Sequence, residues 1–254
     1  MRNILDLHDM ESEKNFPEIT SSYDLEKDAY NWRCAMNAFT NGRSYEKMSE
    51  KDLNILSQIK WSSQERANKI LLPYLDKKYK NNREYIEEAV DGIKTILDEQ
   101  KSLIFENMEK LTKHPILRDD FHIYFTTCLR WPYAWRTWEI RMYDPGQIER
   151  RVRGWTMSFA HELLHMQTHE YYQFKHPMNQ LTRKQFNLIK ESLTFLLNHE
   201  FPWVNMSSDN WYPNHQEFRK ILEDYRLSCW DKKDFEDLIK FGCDYILKNN
   251  ILAE

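Results

Sequence analysis

The spacing of apolar positions changes period along the chain. Up to about residue 113 it is helical. From Tyr23 to about Gly42 apolar side chains recur every three or four positions. Ser49-Glu50-Lys51-Asp52 reads as a capping box ahead of "LNIL". Ser62-Ser63-Gln64-Glu65 repeats the signal ahead of "RANKILLPYL". A long helical pattern follows from about Arg83 to Lys113, with Gly92 as its weak point. The first 115 residues therefore predict four helices, after an irregular stretch at 1–20.

Beyond His114-Pro115 the period shortens to two. Phe121, Ile123 and Phe125 alternate with His122, Tyr124 and Thr126. Trp138, Ile140 and Met142 alternate with Glu139, Arg141 and Tyr143. Both runs are rich in β-branched and aromatic residues and predict strands. Asp144-Pro145-Gly146 then breaks the chain, and a helix is expected from about Gln147. Another helix should start at Thr182, a good N-cap, and two more should follow Asn214. The prediction is an α+β fold, mostly α, with a small antiparallel or mixed sheet. A helical N-terminal region (1–115) precedes a core (116–254), unless the two form one continuous domain.

Composition narrows the class. The chain has 254 residues, 41% hydrophobic and 30% charged, with only five glycines. These values suit a soluble, helix-rich protein. The net charge is −4 with no basic stripe, which argues against a nucleic-acid partner. No apolar run reaches membrane-spanning length, so no membrane partner is expected, and the first twenty residues do not resemble a signal peptide. Cys34, Cys128, Cys229 and Cys243 form no CxxC pair. They read as reduced thiols of a cytoplasmic protein.

The candidate chemistry lies in "WTMSFAHELLHMQTHEYY", residues 155–172. Val152, Trp155, Phe159, Leu163 and Met166 form its main apolar stripe, while Met157 and Leu164 lie on other sides. A helix apolar on most sides is buried on most sides. His161 and His165 project about 40° apart on one face. Buried imidazoles need partners, and a divalent metal would satisfy both. In an HExxH helix two neutral imidazoles one turn apart reach one zinc ion. The intervening acid, Glu162, is then placed as general base toward a water held there.

A zinc site needs a third protein donor. His169 lies about 12 Å along the helix from His161, too far for both to bind one ion. Glu191, in "LIKESLTFLLNHE", is the better candidate. Its neighbours Leu188, Leu193 and Phe195 are apolar, and a buried glutamate without a partner is costly. A salt bridge to Arg or Lys is its other explanation, and Glu200 is the alternative donor.

A strand, an edge strand, an HExxH helix and a glutamate on the next helix together resemble the gluzincin branch of zinc metallopeptidases, whose best-known member is thermolysin. The pattern is similar, too, to that of small uncharacterised bacterial proteins. The gluzincin resemblance covers about residues 118–215. It implies a zincin-like core, one zinc held by His161, His165 and Glu191, and hydrolysis of peptide or protein substrates with Glu162 as base. It also implies a tyrosine or histidine that stabilises the oxyanion, here Tyr212 or His215, although Asn214 could equally make that segment a simple capped turn. An extended substrate would pair with the edge strand at 138–143, and Trp131, Trp135, Trp138 and Trp155 would line a pocket or fill the core. One departure is Phe195, where gluzincins often carry an aspartate that orients the first histidine. Asn198 or Asp209 would have to replace it. Two other classes remain open. Glu162-Leu163-Leu164-His165 also reads as the ExxH of a helical di-iron protein, although no second ExxH is present. The helices could instead form a non-enzymatic interaction protein.

Overall fold

The computed structural model describes residues 15–38, 48–128, 133–134, 136–144, 148–200, 213–228 and 234–251. In chain order the elements are β1 (Glu18–Tyr23), α1 (Leu25–Ala38), α2 (Glu50–Ile59), α3 (Gln64–Asn81), α4 (Arg83–Thr112), β2 (Asp120–Phe125), β3 (Tyr133–Ala134), β4 (Glu139–Met142), α5 (Ile148–Tyr172), α6 (Arg183–Ser192), α7 (Leu197–Glu200), α8 (Pro213–Leu227) and α9 (Phe235–Asn249). The fold is α+β and mostly helical. The expected helix starts hold: Ser49 caps α2 by accepting from the Asp52 N–H, and Thr182 with Gln185 forms a full capping box on α6. At α3 the cap is Ser63, which accepts from Arg66 N–H.

The strands form one mixed sheet in the order β1-β2-β4-β3. β1 and β4 run parallel to β2, and the short β3 runs antiparallel to β4. Two expectations are corrected here. Residues 18–23, read partly as irregular and partly as helical, form β1. Its polar side chains hide the strand pattern, and it is held by parallel pairing with 120–125, far along the chain, and by packing under α4. The run at 138–143 is not an open edge at Glu139 and Ile140, which pair with Ala134 and Tyr133. The alternation is as expected along β2, but in β4 Arg141 is buried as well, and Trp138 lies ahead of the strand in a turn with φ 53°. Phe121, Ile123, Phe125, Ile140 and Met142 are all buried on one face. On the other, the His122 ring bridges the Thr20 and Ser22 hydroxyls at 2.8 Å each.

α4 packs on β1 and β2, and α5 packs on α4 and β4. One hydrophobic cluster runs through the sheet, α4, α5, α6, α8 and α9, on both sides of residue 115. A second fills the space between α1, α2 and α3, around Trp32, Leu56, Ile59, Leu71 and Leu75. Gly92 does not interrupt α4, which continues through it as one 30-residue helix. It lets α5 approach: a Cβ there would lie 3.3 Å from Cζ3 of Trp155. The α5 stripe is buried at Trp155, Phe159, Leu163 and Met166, but Val152 is 41% exposed. The stripe thus begins one turn later than its spacing suggests, where α5 enters the core. No described helix is long and apolar enough to cross a membrane.

Candidate metal centre

Two helices build the site. α5 carries His161 and His165 one turn apart, with ring centroids separated by 4.3 Å and ring planes at 78°. Its burial leaves little freedom to reorient them: Phe159, Ala160, Leu163 and Leu164 are fully buried around the histidines. α6 brings Glu191 to the same place. The capping box at Thr182 fixes where α6 starts, and Phe186, Leu188 and Ile189 seat it in the core. Just past Glu191 the helix tightens into a 3-10 turn over Leu193–Leu196, and the Thr194 hydroxyl donates to the Glu191 carbonyl at 2.8 Å. Phe195, at the position where gluzincins often carry an orienting aspartate, is core at 1% exposure.

Glu191 Oε2 lies 3.1 Å from His165 Nε2 and 3.7 Å from His161 Nε2. The candidate donor atoms of the three residues all fall within 4.8 Å of one another. The set is sheltered without being sealed: the side chains are 18% exposed at His161, 2% at His165 and 20% at Glu191. Glu162 follows His161 directly and is buried at 6% exposure.

The protonation of His165 and Glu191 suits metal binding, which needs neutral imidazoles and an ionised carboxylate. Burial drives the His165 pKa well below its usual value, against the opposing pull of Glu191. Burial works against ionisation of Glu191, but His165, which lies within hydrogen-bond distance, and the Lys190 ammonium hold its carboxyl well below the usual range. Lys190 is itself buried and donates to Glu191 Oε1 at 2.8 Å. The salt bridge considered from the sequence therefore exists, together with the approach to the imidazoles. Nothing in the spacing singled out Lys190. The available signal was a lysine within the otherwise apolar face of "FNLIKESL".

His169 stands apart from the trio. Its Nδ1 lies 2.8 Å from Gln173 Oε1, and its ring packs on Phe186 with centroids 4.7 Å apart. Burial pushes its pKa down to about 4. Because the folded value lies below the ordinary one, the unfolded chain takes up the proton first. The stability this neutral ring contributes is complete above about pH 6.5 and is lost as pH falls toward 4. The loss over that interval is about 3 kcal/mol. His169→Gln should therefore shrink the stability difference between pH 7 and pH 4 by about that amount. Urea unfolding of metal-free protein at the two pH values measures it, and an unchanged difference would contradict the assignment.

His215, in the first turn of α8, is near enough to α6 to feel the charges of Glu191 and Lys190. Burial lowers its pKa most, while the charges of Glu191 and Lys190 act on it in opposite directions. Asn198 Oδ1 is buried with no hydrogen-bond partner among the described residues, so it does not accept from His161 or His165. Tyr212, Asp209, Trp131, Trp135 and the Glu200 side chain lie outside the described residues. Trp138 and Trp155 are core. Comparison of the chain with protein-family models, curated proteins and solved structures finds no match.

Proposed function

We propose that this protein is a zinc-dependent hydrolase of the metallopeptidase type, with a gluzincin-like site. The observation that carries the reading is the convergence of two imidazoles and one carboxylate, from two separate helices, onto one point. Two histidines and a glutamate are a donor set suited to catalytic zinc, because three protein donors leave one position open. His161, His165 and Glu191 would hold the ion. Zinc at such a site supplies Lewis acidity and lowers the pKa of a water to about 7.

The remaining chemistry belongs to the chain. Glu162 takes the proton of the attacking water and passes it to the leaving group, as a general base and then acid. Its burial keeps competing solvent away from the carboxylate. His215 offers an imidazole to the oxygen on which negative charge develops, a role for which Tyr212 is the other candidate. A peptide or protein is the substrate class this constellation serves. Pairing of the substrate along 138–143 is not included, because β3 already occupies Glu139 and Ile140.

Metal content tests the proposal. The expected result is one zinc per chain in the purified protein, falling to none in Glu191→Ala and in His161→Ala. Two irons per chain would favour the di-iron reading. A protein that takes up no metal after incubation with zinc would overturn both.

A further inference from the structure

Lys190 is 5% exposed and sits immediately before a proposed ligand. The two oxygens of the Glu191 carboxylate face different neighbours. Oε1 accepts from Lys190 Nζ at 2.8 Å, while Oε2 faces His165 Nε2 at 3.1 Å and His161 Nε2 at 3.7 Å. Adjacent helix residues diverge by about 100°. The lysine therefore bridges to its sequence neighbour across that angle to reach Oε1. A buried ammonium is costly unless a carboxylate answers it, so the pairing is strongly held.

We propose that Lys190 is a positioning residue for the metal centre: it engages Glu191 Oε1, turns Oε2 toward the imidazoles, and restricts Glu191 to coordination through one oxygen. The inference rests on the zinc reading above. A carboxylate can bind a cation through one oxygen or both. An ammonium on Oε1 occupies that oxygen's lone pairs and repels a second cation there. Binding through both oxygens would add a fifth donor beside the position that a catalytic site keeps open. Lys190 thus acts on the metal only through Glu191, as outer partners of ligand carboxylates do.

Cobalt(II) in place of zinc provides the test, since four-coordinate cobalt absorbs visible light much more strongly than five-coordinate cobalt. The wild-type protein should give the intense spectrum. Lys190→Met should give the weak one and bind zinc about 10- to 100-fold less tightly in chelator competition. Lys190→Arg should restore the intense spectrum. A weak five-coordinate spectrum in the wild-type protein would overturn the proposal, even if no variant folds. So would a Lys190→Met protein with wild-type spectrum and affinity, or one that binds zinc more tightly, since the lysine would then act only as a repelling charge. These outcomes leave the zinc reading standing. A wild-type protein that binds neither metal overturns both.

Discussion

Glu162→Gln should reduce hydrolysis about 10²- to 10⁴-fold while leaving one zinc bound per chain. The amide has nearly the shape of the carboxylate, so the 6% exposed site can keep its packing. What it loses is basicity. That loss corresponds to about 3 to 5 kcal/mol of activation barrier. Zinc affinity should hold, because Glu162 lies outside the trio of His161, His165 and Glu191. The pattern is thus opposite to that of Glu191→Ala, where metal and activity disappear together. Turnover of a mixed peptide library with zinc analysis of the same sample measures both quantities. Full activity in Glu162→Gln would remove the residue from the mechanism. Loss of zinc with the activity would make it a ligand or a structural support.

The site was more legible in the sequence than the sheet was. HELLH announces itself through spacing, and the apolar residues around it on every side signal burial. Glu191 could be picked out because an acid stands among Leu188, Leu193 and Phe195. Both signals are local. β1 has no such signal: Ile19 is its one fully buried apolar residue, and its parallel partner lies beyond four intervening helices. β3 is two residues long, too short to leave a period, and it was enough to change the edge at Glu139 and Ile140. Val152 continues the spacing of a stripe whose burial depends on where α5 meets α4, which spacing does not encode. Lys190 shows the same limit at the site. A lysine in an apolar face reads as an interruption until the carboxylate it answers has been located.

Trp155→Ala should destabilise the fold by about 3 to 5 kcal/mol, the range for emptying a buried tryptophan site. Trp155 joins three elements. Its ring is fully buried in α5, its indole N–H donates to the Tyr143 carbonyl just past β4 at 2.9 Å, and its edge fits over Gly92 of α4. The two α4–α5 partners are coupled, which makes the account testable beyond a single loss. Gly92→Ala alone sets two effects against each other. Alanine favours a helix interior over glycine by about 0.5 to 1 kcal/mol. Its Cβ, however, would stand 3.3 Å from Cζ3, so Trp155 would have to give way. With Trp155→Phe the ring is shorter and that conflict disappears. Gly92→Ala should therefore stabilise the Trp155→Phe background by more than it stabilises the wild type. A double-mutant cycle by urea unfolding measures the difference, which for residues in contact is expected at about 0.5 kcal/mol or more. Strict additivity would show that Gly92 is not there to admit the tryptophan. The histidine helix would then need another reason for lying where it does.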